Sequence, residues 1–262
     1  MNLFEFVGLS DVTVLIDAIK QGVDLHMKDE LGRNLLHWTS VHNNIPSTDL
    51  LLGHNVNVNE EDNKGQMPLH LAAQHGSLGV ASKLIKYGEK INARSHCGQT
   101  PLHLAVYNNH VEFVEFLVDN CAKMDVPDRC GDTPLHVAVY SRNFAVALFL
   151  IRKGADVNVK NNDGYTPLIL ATNQKELFTT ELINDFIEAG ADVNARSNSG
   201  CTPLRFAVEH DSIELAKFLV EKGATIDMKW DDVFSKFPRT LLYFAESESM
   251  KNFLTQIGVP LR

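Results

Sequence analysis

The segment CGDTPLHVAVY at 130–140 gathers Cys130, Asp132, Thr133 and His136 within seven positions. These are the residue types of a cysteine hydrolase: a thiol that attacks as thiolate, an imidazole that takes its proton, and an acid that orients the imidazole. The same side chains also offer sulfur, carboxylate and nitrogen ligands to a metal ion. Either kind of site occurs once in a chain, whereas this pattern recurs. It returns as GQMPLHLA at 65–72, GQTPLHLA at 98–105, GYTPLILA at 164–171 and GCTPLRFA at 200–207, with a weaker copy, GRNLLHWT, at 32–39. One period upstream, Cys97 and His103 repeat the thiol and imidazole, but Gln99 stands where the acid would be.

The recurrence has a fixed beat. Gly32, Gly65, Gly98, Gly131 and Gly164 follow one another at 33 residues, and the step to Gly200 is 36. A second marker keeps the same register: Gly22, Asn55, Gly88, Cys121 and Gly154 at 33, then Gly190 after 36, Gly223 after 33 and Gly258 after 35. Such a period belongs to a stack of like units. His37, His70, His103 and His136 therefore fall once per unit, and stacked helices lie on the order of 10 Å apart. A shared ion, with ligand bonds of about 2 Å, is out of reach, and no metal or cofactor is expected. The imidazoles are instead expected to bond their own helix caps and the adjoining backbone.

Each unit reads as a pair of short helices and an extended turn. Thr133 is an N-cap, Pro134 suits the first helical position, and Leu135 and Ala138 share one face, with Ala138 small enough to admit a neighbouring helix. A second helix follows over 143–153, with Val146, Leu148, Phe149 and Leu150 as its apolar surface and Arg152 and Lys153 at its carboxyl end. Gly154 ends it in the left-handed conformation. ADVNVKNNDG at 155–164 then runs extended into a hairpin-like turn.

A 33-residue unit carrying G-x-T-P-L-H-x-A, an apolar helix and G-A-D-V-N, as at 154–158 and 190–194, resembles the ankyrin repeat over nearly the whole chain. The resemblance implies an all-α ankyrin-repeat solenoid of about eight stacked helix-turn-helix units with β-hairpin-like finger loops, a single domain over 1–262. Its expected divisions are an N-terminal cap at 1–31, repeats at 32–64, 65–97, 98–130, 131–163, 164–199 and 200–235, and a C-terminal cap at 236–262. It also implies a non-enzymatic module that grips another protein with its concave face, built from finger tips and the exposed ends of first helices. Here those positions hold Gln74, Tyr107, Asn108, Tyr140, Ser141, Asn173 and Glu209 at helix ends. The fingers add Arg33, Asn63, Lys64, Gln66, His96, Gln99, Arg129, Asp132, Asn162, Asp163 and Tyr165. Tyrosine and arginine carry much of the energy of protein interfaces. Leu150 with Asp156, Val157 and Asn158 also resembles the context in which ankyrin asparagines are hydroxylated, which would make Asn158 a modification site.

Charge narrows the partner class. With 24 Lys and Arg against 33 Asp and Glu, the net charge is -9, which disfavours nucleic acid and anionic membrane and favours a protein with a basic surface. Four cysteines without close spacing and a start without basic leader or long apolar run are read as a cytoplasmic chain, with the nucleus or a host-cell cytosol as alternatives, and as a monomer. Two narrower functions fit the same pattern: an inhibitor resembling the inhibitor-of-NF-κB group, and an effector of an intracellular pathogen acting on host proteins. A hydrolase at Cys130 and His136 is the enzymatic alternative.

Local departures carry expectations too. Asn34 replaces Thr as a cap, Asn55 replaces the terminating glycine, and Pro46 predicts a short second helix in one of the looser units. NQKELFTTELINDF at 173–186 lengthens either a loop or a second helix. Trp230, Phe234 and Phe237 are expected to cover the exposed end of the core.

Overall fold

The structure is a computed structural model, and it describes residues 3–7, 12–174, 180–230 and 239–260. The chain forms two compact units, Met1–Arg129 and Cys130–Arg262. The first holds α1 (Leu3–Val7), α2 (Thr13–Lys20), α3 (Leu35–His42), α4 (Ile45–Gly53), α5 (Pro68–His75), α6 (Leu78–Lys86), α7 (Pro101–Tyr107) and α8 (Val111–Asp119). The second holds α9 (Pro134–Tyr140), α10 (Phe144–Arg152), α11 (Pro167–Asn173), α12 (Thr180–Glu188), α13 (Pro203–Glu209), α14 (Ile213–Glu221), α15 (Leu241–Phe244) and α16 (Glu248–Gln256).

Within each unit like packs on like. In the first, α3 lies against α5 and α5 against α7, while α4, α6 and α8 form the parallel row. In the second, α9, α11, α13 and α15 follow one another, as do α10, α12, α14 and α16. The repeated leucines of the motif, Leu69, Leu102, Leu135, Leu168 and Leu204, are buried, and Ala72, Ala105, Ala138, Ala171 and Ala207 are wholly so. An alanine there lets neighbouring first helices approach closely. The helices are four to nine residues long and would not persist alone, so stacking supplies their stability.

The fingers are two-bond turns rather than strands. In the finger before α5, the Asp62 N–H donates to the Gln66 carbonyl at 2.9 Å and the Gly65 N–H returns to the Asp62 carbonyl at 2.9 Å. Asp62 Oδ1 accepts from the N–H groups of Lys64 and Gln66, at 2.8 and 2.9 Å. Asp29 and Asn161 do the same in their own fingers. Each finger also hooks onto its neighbour: the His96 N–H donates to the Lys64 carbonyl at 2.8 Å, and the Asn198 N–H to the Asp163 carbonyl at 2.9 Å. This closeness explains Gly65, whose φ is 68° and where a Cβ would lie 2.9 Å from the His96 nitrogen.

Several local expectations resolve here. Asn34 caps α3, accepting from the His37 N–H at 3.2 Å, and Asn55 takes φ 59° in place of the terminating glycine. Cys121 takes φ 66° in the same role. The helix after Pro46 is not short: α4 has nine residues, as α6 and α8 do. Pro46 sits in its first turn, where no N–H is needed, and Asn44 accepts from the Ser47 N–H at 3.1 Å. The described part of α12 has nine residues, as α10 does, and 175–179 of the lengthened stretch lie outside the described residues. Trp230 is buried, its Nε1 donating to the Gly200 carbonyl at 2.5 Å and its ring edge-on to Phe244 at 5.3 Å. Phe234 and Phe237 lie outside the described residues.

One repeat breaks the pattern twice, and the two breaks fit together. Met67 occupies the cap position of α5 and has no oxygen to offer the helix's free N–H groups. Glu89 occupies the position that is a buried alanine at Ala122, Ala155, Ala191 and Ala224. Its Oε1 accepts from the Leu69 N–H of the same helix start, at 2.6 Å. The carboxylate thus does from the end of α6 what a threonine would do from position 67. Burial pushes its pKa well above the usual carboxylate range, against the smaller opposing effect of the Leu69 N–H, and Oε2 is buried without a partner among the described residues. A cycle of Met67→Thr and Glu89→Ala measured by urea unfolding should therefore show coupling of about 1 kcal/mol, with Glu89→Ala costing less when Thr stands at 67. Simple additivity would refute the exchange of caps.

Candidate functional site

The imidazoles of His37, His70 and His136 are bonded at both ring nitrogens. Nδ1 of His37 accepts from the Asn34 N–H at 3.1 Å, and Nε2 lies 3.0 Å from the Gln66 carbonyl. Nδ1 of His70 accepts from the Met67 N–H at 3.0 Å, with Nε2 3.1 Å from the carbonyls of both Ala93 and Gln99. In the second unit, His136 Nδ1 accepts from the Thr133 N–H at 3.2 Å, and Nε2 lies 3.0 Å from the Tyr165 carbonyl. A carbonyl only accepts, so in His70 and His136 the proton is on Nε2 and Nδ1 is bare, while in His37 Nδ1 also lies 2.7 Å from Asn34 Oδ1. These rings are neutral links between a helix start and the next finger. Burial lowers the pKa of His37, and that of His70 to about 4.

Seen this way, Cys130, Asp132 and His136 do not assemble as nucleophile, acid and base. Both nitrogens of His136 are spent on Thr133 and Tyr165, leaving none to take a thiol proton or to ligate a metal. Asp132 accepts from Asn161 Nδ2 at 2.8 Å, which secures the following finger.

The residues that remain available lie elsewhere. In the first unit a groove of about 600 Å³ is built from two consecutive repeats whose residues pair at 33 positions: Gln66 with Gln99, Gln74 with Tyr107, Asn63 with His96 and Lys64 with Cys97. Ser95, Leu104 and Asn108 complete it. Tyr107 is 60% exposed over it, at the end of α7. Two of its amides have structural work: Asn63 Nδ2 donates to the Glu30 carbonyl at 3.1 Å, and Asn108 Nδ2 to the Leu104 carbonyl at 2.8 Å. The side-chain amides of Gln66, Gln74 and Gln99, the Lys64 ammonium and the His96 ring bond to nothing within the described residues. Arg33, expected in the same set, is half-buried with Nε 3.7 Å from Asp62. Arg129 is exposed in its finger.

In the second unit, Tyr140 ends α9 at 73% exposure, beside a half-buried Ser141. Asn162 and Asp163 are exposed at a finger tip, and the Asn162 N–H donates to the Cys130 carbonyl at 2.9 Å. Two expected contact residues, Tyr165 and Glu209, have side chains engaged within the unit, and Asn173, exposed, uses its backbone carbonyl. Tyr165 lies against Phe206 at 6.3 Å, the Asn173 carbonyl faces His210 Nε2 at 2.9 Å, and Glu209 accepts from Arg205 Nε at 2.8 Å. A pocket of about 350 Å³, absent from the sequence-derived set, is walled by Arg196, Arg205, Lys229, Arg239, Trp230 and Phe244.

Asn158 belongs to a ladder that sequence reasoning missed as a ladder. Its Nδ2 donates to the Gly190 carbonyl and its Oδ1 accepts from the Asp192 N–H, both at 2.8 Å. Asn59 and Asn194 make the same two bonds to their following repeats, and Asn92 accepts from the Lys123 N–H at 2.8 Å. The signal was present as asparagines at 59, 92, 158 and 194 in the register of the glycines. Among the described residues no helix is long and apolar enough to cross a membrane.

Comparison with known proteins gives a consistent result. The family model described as ankyrin repeats matches in three copies, over residues 6–95, 84–161 and 149–229. Among solved structures, the ankyrin repeat domain of human ASB11 is similar with a TM-score of 0.73 at 26% identity, covering 86% of this chain and 99% of that one. The ankyrin repeat domain of Bcl-3, described as a unique member of the IkappaB protein family, is similar with a TM-score of 0.72 at 28% identity, covering 86% and 100%. A search of curated proteins found no match.

The histidine links make stability pH-dependent. His70 has a folded pKa of about 4 against an ordinary 6.5, so the unfolded chain binds its proton first as pH falls. Its contribution is whole above pH 6.5 and is lost toward pH 4, on the order of 3 kcal/mol. Glu89, held high, works in the opposite sense, so the measurement belongs in a Glu89→Gln background. There, urea-derived stability should fall through that window, and His70→Asn should flatten the fall.

Proposed function

This chain belongs to the ankyrin-repeat family, and on that premise we propose that it is a non-enzymatic module that binds another protein through its exposed finger and helix-end residues. The observation that carries this reading is Tyr107, 60% exposed above a groove whose glutamine amides have no partner among the described residues. An exposed aromatic ring beside unsatisfied donors and acceptors has the composition of an interface hot spot. Tyr140, equally placed in its own repeat, and the fingers at Asn162 and Asp163 form a second candidate contact in the other unit. The bonding of both His136 nitrogens supports the non-enzymatic part. We place the chain in the cytoplasm as a monomeric adaptor, scaffold or inhibitor.

The test is affinity capture from extracts of the native host, followed by mass spectrometry. Tyr107→Ala should reduce capture of the specific partner about ten-fold or more, the effect of removing one hot-spot ring. Circular dichroism should be unchanged, since the ring is exposed. Undiminished capture would show that Tyr107 does not anchor the partner.

The likeness to the Bcl-3 domain favours one narrower reading, an inhibitor of the inhibitor-of-NF-κB type. Direct binding to a Rel-type transcription factor in a pulldown with purified components would support it, and its failure at micromolar concentrations would remove it.

A further inference from the structure

The charge of the groove runs against the charge of the chain. The protein carries -9, yet among the described residues the groove walls contain Lys64 and His96 and no aspartate or glutamate. The nearest carboxylate in its finger, Asp62, is buried and occupied by the N–H groups of Lys64 and Gln66 and by Arg33. A basic partner segment would find no counter-charge here. The groove instead offers amides that both donate and accept, Gln66, Gln74 and Gln99, together with a cation and an imidazole.

That inventory suits an extended peptide. A main chain in extended form presents free N–H and C=O groups at regular intervals, and a glutamine amide can pair with either. At about 3.3 Å per residue, roughly three residues carry such a chain from one repeat to the next, across the 8–10 Å that separates packed helices. The groove repeats its glutamine at that interval, Gln66 then Gln99, with Gln74 and Tyr107 as the opposite pair. Lys64 stands at the finger edge, exposed, where a carboxylate following the chain would meet it.

We propose that the groove of the first unit takes an extended segment of the partner protein that carries acidic side chains, its main chain held by Gln66, Gln74 and Gln99 and its carboxylate by Lys64 and His96. This deepens the reading of the groove as a protein-binding site and rests on it. It replaces a basic partner, the expectation drawn from net charge, with an acidic one at this face.

Cys97 lines the groove and is exposed, so it can report occupancy. The full chain is prepared with Cys121→Gly and Cys130→Ser, leaving Cys97 as the exposed thiol among the described residues, and equilibrated with three disulfide-capped peptides competing in a thiol buffer. The peptides are acetyl-Cys-Ser-X-Ser-X-Ser-amide with X as Glu, Gln or Lys, and adducts are counted by intact mass. The Glu peptide should exceed the Lys peptide by about five-fold at low salt, the ratio for one partly exposed ion pair with a charge-assisted hydrogen bond. Lys64→Glu should reverse the order, and N-methylation of the serine amides should lower all three adducts at Cys97. A parallel protein keeping Cys121 in place of Cys97 should favour the Lys peptide, as the net charge dictates.

Equal or Lys-favouring adducts at Cys97 would overturn the proposal, as would a Glu preference that survives Lys64→Glu or appears equally at Cys121. Failure here with partner capture still lost in Tyr107→Ala discards the acidic segment and keeps the groove as interface. A Glu preference at Cys97 with capture undiminished in Tyr107→Ala keeps the peptide site and discards Tyr107 as its anchor.

Discussion

The structure depends on a neutral imidazole bonded at both nitrogens. At His37, His70 and His136 one nitrogen accepts from the backbone of its own helix cap and the other donates to a carbonyl of the following finger. The link crosses from one repeat to the next, and at His37 and His70 burial disfavours the charged ring. It sets the height of each finger against the helix before it. The asparagine ladder at Asn59, Asn92, Asn158 and Asn194 does the same at the opposite end of the second helices. Between them the two ladders hold the spacing of the repeats within each unit, and thereby the spacing of whatever the repeats present to solvent.

The groove follows from that spacing. Gln74, Gln99 and Tyr107 line the groove side by side because their repeats are locked at both ends, with Gln66 largely buried among them, while the leucine and alanine positions are consumed by packing. Binding by such a surface needs little ordering of the scaffold on association, and preorganisation of this kind lowers the entropic cost of capture. The division of labour is strict at the level of single residues. Asn63 spends its side chain on a neighbouring finger, whereas His96, its counterpart one repeat on, leaves its ring in the groove.

Where the repeat sequence departs from its own pattern, the physics is conserved and the residue is not. Asn34 and Thr166 cap with different chemistry, and Glu89 caps α5 from twenty residues away because Met67 has nothing to offer. Asn55 and Cys121 adopt the left-handed conformation that glycine takes in the other repeats. A helix start must have its N–H groups satisfied and a helix end must turn; the fold enforces the requirement and tolerates several ways of meeting it.

The period alone decided much. Two markers at 33 residues determined the helix pairs, their caps and the turns between, since each depends on residues a few positions apart: Thr with Pro, Leu with Ala three on, Gly after a basic pair. It also sufficed to assign Thr133, Pro134, Leu135, His136 and Ala138 to the scaffold, with Asp132 and Tyr140 expected at the partner surface. What it left open were properties of residues far apart in the chain. Whether Tyr165 and Glu209 face a partner or pack on Phe206 and Arg205, whether Glu89 is an oddity or a cap, and whether an acidic chain presents an acidic groove all turn on which side chains meet across repeats. Local spacing dictates backbone geometry, because hydrogen bonds within a turn or helix close over a few residues. Exposure and pairing are decided only when the repeats stack, so the tertiary structure alone divided one conserved register into residues that hold the stack and residues left free to bind.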